Sequence, residues 1–129
     1  MPLLCAAALL WQCHKNDLKR SEQIAGTYAG TFASTSFDGQ TYPVSYATGE
    51  IELLALGDTL LLNSSTGYLN VPDKFLFDFE ASDASSHWHG LGQQYDQLTY
   101  YPAQDSLIVS TPSHSSVGWL GRSFYGRRK

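Results

Sequence analysis

The chain has 129 residues, 43% of them hydrophobic and 16% charged, with a net charge of −4. That length and apolar share fit one domain with a single packed core and do not fit a disordered chain. The charged share is below the usual ~25%, Ser and Thr fill the gap, and the balance is acidic, so nucleic acid is not an expected partner.

Residues 3–11, from Leu3 to Trp11, are apolar and uncharged. At about 1.5 Å per residue the run is too short to cross a ~30 Å hydrocarbon layer, and it has the length of a signal-peptide core. Gln12-Cys13 follows, then the charged stretch His14-Lys15-Asn16-Asp17-Leu18-Lys19-Arg20. An apolar run ending at a cysteine, with a hydrophilic tether behind it, resembles a bacterial lipoprotein signal. The resemblance implies a signal peptide over 1–12, lipidation of Cys13, a tether over 13–23 and a single β-domain over 24–129. It also implies export, and anchoring to a membrane of the cell envelope on its periplasmic or surface-facing side. Trp11-Gln12 stand where such signals carry small residues, and no basic residues precede the run, which places the expected start codon upstream. The competing reading of 3–11 is a buried N-terminal helix, for which the run lacks an amphipathic period. Removing Cys5 with the signal leaves Cys13 as the one mature cysteine, so no disulfide or thiolate site is expected.

Beyond Ile24 the apolar residues recur with period 2, and no stretch keeps a helical period. The expected strands are 24–33, 40–47, 49–56, 59–64, 74–81, 93–101, 106–111 and 119–127, with 40–56 readable as one long strand bent at Gly49. Turn signals separate them, the tightest being Gly57-Asp58 between two leucine-rich runs. Seven or eight antiparallel strands without helices make an all-β barrel or sandwich. Glycines at 26, 30, 121 and 126 favour the sharp coiling of a barrel. Pairing the first strand, with Tyr28 and Phe32 inward, to the last, with Trp119 or Phe124 inward, would leave no apolar edge.

The opening Gly26-Thr27-Tyr28-Ala29-Gly30 and the closing Phe124-Tyr125-Gly126-Arg127 resemble the G-x-Y/W-x-G and F-x-G-basic ends of small exported lipoproteins with lipocalin-like domains. The resemblance implies a small antiparallel barrel. A lipocalin signature proper has tryptophan after the first glycine, with an arginine packed on it. Tyr28 stands near that place, and the sequence assigns it no arginine.

Candidate chemistry is sparse. His87 and His89, two apart on one strand face, could share a metal ion with Asp83 or His114, or could simply sit on a polar edge. Ser113-His114-Ser115 with Asp105 has the residue types of a hydrolase, but no nucleophile elbow surrounds them. Glu50/Glu52 and Asp78/Glu80 alternate with apolar residues, as on a solvated outer face. No cofactor is expected, and the protein reads as a non-enzyme.

Between Ser21 and Gly121 the chain carries 11 acidic residues and one base, Lys74, so the remaining bases lie near the two ends. Closure of the barrel would gather Lys19, Arg20, Arg127, Arg128 and Lys129 beside the anchor, where they could meet anionic head groups. Tyr42, Tyr46, Tyr95, Tyr100 and Tyr101 lie near turns and are candidate ligand-contact aromatics. The expected function is a binding or structural module of the cell envelope, taking a small apolar ligand, a glycan or a protein. The alternatives are a lipocalin-like carrier of a small apolar ligand, and an inhibitor of a secreted enzyme acting through loops 82–92 or 112–118.

Overall fold

Apolar–polar alternation lets each strand bury one face and wet the other, and eight such strands close on themselves. The computed structural model describes residues 19–37, 43–64, 68–115 and 118–129, without the side chains of 93, 94, 114, 115 and 119. Cys13, Tyr42 and the His114 side chain therefore lie outside the described residues. A short helix α1 (Arg20–Ile24) precedes β1 (Gly26–Phe37), β2 (Val44–Leu56), β3 (Thr59–Asn63), β4 (Lys74–Ser82), β5 (Ser86–Gly90), β6 (Gln93–Tyr101), β7 (Ser106–Ser115) and β8 (Gly118–Arg128). Every strand pairs antiparallel with the next, and β8 returns to β1, giving a closed barrel with strand order 1 to 8. The architecture is thus all-β and a barrel, and a sandwich is ruled out.

The seam between β1 and β8 runs from Tyr28 opposite Arg128 to Phe37 opposite Trp119. Gly30 faces Gly126 across it. A Cβ on Gly30 would overlap the Tyr125 carbonyl oxygen, and one on Gly126 would stand 2.5 Å from the Phe124 ring. Backbones this close admit only glycine at both positions. Phe32 and Phe124 then meet inside the seam, with centroids 4.8 Å apart.

The interior holds Tyr28, Phe32, Ile51, Leu53, Leu60, Leu62, Phe77, Trp88, Leu98, Leu107, Val109 and Phe124, all under 2% exposed or at that value. At ~25 cal/mol per Å² of apolar surface, this core is the main source of stability. One end, the tether end, is closed by α1 and the turns at 57–58, 83–85 and 102–105. The far end carries the β3–β4 connection, which crosses the barrel: Asn70 donates its backbone N–H to Thr111 Oγ1 at 2.8 Å and its side-chain amide to the carbonyls of Thr111 and Leu120. Tyr68 in that connection stacks on Phe32 at 5.2 Å, and Leu69 is buried.

Three expected boundaries change, and of the two readings of 40–56 the single strand holds over 44–56. Ile24 ends α1 instead of opening a strand, because Ser21 Oγ anchors the helical turn to the Gly57 carbonyl at 2.6 Å and Ile24 plugs the tether end. Residues 44–56 form one strand; Gly49 sits under the Phe32 ring, which a Cβ would approach to 2.8 Å. Segment 82–92 is not a protruding loop, since Ser86–Gly90 is a barrel strand paired on both sides, and 112–115 likewise belongs to β7. Ser86, Trp88 and Gly90 point inward, and only Trp88 offers an apolar side chain, too faint an alternation to read as a strand. Pro112 is tolerated in β7 because the β6 ladder stops at Ser110, leaving Pro112 paired only to Gly121.

Candidate functional site

The tether end is built around Arg128, which points inward from the last strand position. Its guanidinium lies over the Tyr28 ring, 5.4 Å from the centroid. Nε donates to Asp105 Oδ1 at 2.9 Å, Nη1 to the Ala25 carbonyl at 2.5 Å and Nη2 to the Gln23 carbonyl at 2.7 Å. Tyr28 Oη donates to the Ile24 carbonyl at 2.6 Å, and Tyr100 Oη donates to Asp105 Oδ1. One planar cation therefore satisfies carbonyls that the short helix leaves orphaned. Burial raises the Tyr28 hydroxyl pKa, and burial likewise raises that of Tyr100. The hydrogen bond from Tyr100 and the charge of Arg128 hold the Asp105 carboxyl below its ordinary value. All groups in this cluster are mutually satisfied, so it is a clasp rather than a reactive centre.

Grooves flank the clasp at the same end. One of about 540 Å³ is lined by Lys19, Arg20, Asp58 and Phe79, with the Arg20 guanidinium 4.1 Å above the Phe79 ring. Another of about 370 Å³ includes Arg20, Gln23, Asp83, Ser85 and Tyr100 in its lining. The basic gathering expected here is altered by pairing: Arg128 is turned inward, Lys129 bonds Glu50 at 2.8 Å, and Lys19 stands 4.0 Å from Asp58.

His87 and His89 do share the outer face of β5. His87 Nε2 lies 3.1 Å from Ser85 Oγ and 3.4 Å from Asp83 Oδ1, while Nδ1 faces Thr99 Oγ1. Backbone and hydroxyl donation from Ser85 lowers the Asp83 pKa. His89 sits opposite Asp78 and Gln97 in register, and among the described residues no group of three or more His, Cys, Asp or Glu gathers to hold a metal. The Ser113–His114–Asp105 combination is broken by topology, since Asp105 precedes β7 at the tether end and Ser113 and His114 lie near its far end, about 25 Å along the strand. Glu50 and Glu52 face outward, to Lys129 and Asn63.

At the far end the exposed apolar side chains collect. Val44, Tyr46, Tyr68, Leu91 and Tyr95 are five of the nine exposed large hydrophobics described, with Tyr46 73% and Tyr95 64% exposed. Tyr100 is instead buried in the clasp, and Tyr101 is half-buried at the tether end, so the candidate tyrosines divide between the two ends.

Just inside the far rim is a group the sequence reading passed over. Asp96 is only 4% exposed, and its alternation with exposed Tyr95 and Gln97 turns it inward with Leu98 and Tyr100. Burial lifts its pKa to about 6. The inward parity of Leu98 and Tyr100 was the signal that could have found it.

Comparison with family models, curated proteins and solved structures found no match to this chain.

Proposed function

We propose that this protein is a non-catalytic binding module of the bacterial cell envelope, held to a membrane through lipidated Cys13 and engaging its ligand at the far rim of the barrel. The observation that carries the reading is the collection of exposed tyrosine and aliphatic side chains at the end opposite the chain's entry. Apolar side chains exposed at one end of the barrel cost solubility and offer faces on which a partner, glycan or apolar molecule is received. At the tether end, in contrast, Arg128 and Lys129 are paired internally.

A lipocalin-like carrier is the second reading. Arg128 over Tyr28, closing the end where the chain enters an eight-stranded barrel, favours it, because the lipocalin resemblance asks for an arginine on that aromatic. Nile red, a neutral apolar fluorophore, separates the two readings when titrated into soluble Cys13→Ser protein. A rim site predicts saturable binding, weakened about tenfold by the Tyr46→Ser/Tyr95→Ser double variant and unchanged by Tyr125→Ser on the outer wall. Binding that ignores the rim variant assigns the dye to the interior and supports the carrier. Absence of binding, or equal loss with Tyr125→Ser, overturns both.

A further inference from the structure

β6 does not follow its neighbour regularly near the far rim. Between His89 and Gly90 of β5 the partner on β6 jumps from Gln97 to Gln93, so Gln94, Tyr95 and Asp96 bulge out of the ladder. On the other side the β6–β7 ladder ends at Gln97 opposite Ser110. Bulges at barrel rims re-aim a side chain, and this one aims a carboxylate into the barrel. A buried carboxylate without a partner is costly, so the donors around it decide what it is for.

The surrounding donors are committed elsewhere. Thr111 Oγ1, on the adjacent inward position of β7, accepts from the Asn70 N–H and lies 3.4 Å from the Arg122 carbonyl. Trp88 Nε1 donates to Ser86 Oγ toward the tether end, and Gly90 brings no side chain. Arg122 faces the interior from β8, one strand beyond Thr111, and it is already engaged. Among the described residues nothing donates to the Asp96 carboxylate, and Arg122 is the other charged group facing the interior in this half.

We infer that Asp96 is the anchoring group of a site just inside the far rim that takes a small organic monocation, a protonated amine carrying a short apolar tail. The inference rests on the binding-module reading and names the class of ligand. One carboxylate neutralises one charge, whereas a divalent metal needs several oxygen ligands, and no acidic group of three gathers among the described residues. The wall below Asp96, toward the tether end, is apolar and aromatic, with Leu98, Val109 and Phe124 buried and Phe32 stacked under Tyr68, which suits an alkyl tail and the ring faces a cation prefers.

Octylammonium chloride tests the site, with octanoate and 1-octanol as controls, by amide chemical-shift titration of Cys13→Ser protein in about 0.15 M salt, which screens the outer carboxylates. At about pH 7.5 octylammonium is expected to bind at least ~10-fold more tightly than either control and to move the amides of 94–98. Asp96→Asn removes that preference while keeping the parent spectrum elsewhere. Because only the ionised form recruits the amine, and burial lifts the Asp96 pKa to about 6, the preference in the parent also fades when the pH falls to about 5. A preference that survives Asp96→Asn, or an octylammonium titration that leaves 94–98 unmoved, overturns the inference. Nile red binding without an amine preference removes the Asp96 site and leaves the binding module standing; binding of neither probe removes both.

Discussion

Arg128 holds more of this fold together than any other polar residue described. It is one guanidinium against two backbone carbonyls, a carboxylate and a tyrosine ring. Arg128→Ala leaves those acceptors near the barrel wall without a donor, and a loss of about 2–4 kcal/mol in unfolding free energy is expected by urea denaturation. Arg128→Lys recovers little of it, since an ammonium cannot serve three directions in one plane. A lysine variant as stable as the parent would reduce the clasp to a simple charge contact. The sequence reading placed Arg128 in a basic tail because nothing local distinguishes it from Arg127 and Lys129. Only the register, Tyr28 opposite Arg128 in an antiparallel seam, sets its direction. Asp96 differs in kind: its parity with Leu98 and Tyr100 is present in the sequence, but a carboxylate is normally assigned to the wet face.

At the scale of elements, the alternation of Phe75, Phe77 and Phe79 and the leucines around Gly57-Asp58 was enough to read β2, β3 and β4. The pairing of first and last strands was legible from the need to hide two apolar edges. β5 escaped because its inward positions are Ser, Trp and Gly, so its identity as a strand comes from pairing with β4 and β6 rather than from its own residues. The helical turn escaped for a related reason. Five residues cannot sustain a helix alone, and α1 exists because Gly57 and Arg128 receive it. The closing seam offers the sharpest element-level test. Gly126→Val puts a branched side chain against the Phe124 ring and the Ala29 carbonyl, 2.5 and 2.8 Å from a Cβ. It is expected to open β8 from β1 and abolish cooperative melting, while Gly57→Ala, where a Cβ meets nothing within 4 Å but the φ of +60° is strained, costs only about 1 kcal/mol. Equal Tm values for Gly126→Val and the parent would mean that the barrel does not depend on this close approach.

For the molecule as a whole, the position of α1 orients everything else. Five residues separate Cys13 from Lys19, six Cα steps that span at most ~20 Å when fully extended. An acylated Cys13 would therefore keep the tether end, with Asp58 and the turns around it, close to the bilayer and turn the far rim outward. Tyr46 and Tyr95 would then stand about a barrel's height away, where a soluble or surface-bound ligand can reach them. Cys13→Ser is expected to move the protein from the membrane to the soluble fraction and to abolish acyl labelling. In the lipidated form, a fluorophore on Asp58→Cys should be quenched by head-group spin-labelled lipid, and one on Tyr95→Cys should not. Cys13→Ser protein that still sediments with membranes would remove the anchor. Equal quenching at the two positions would keep the anchor and overturn the orientation, leaving the aromatic rim to face the membrane instead of a ligand beyond it.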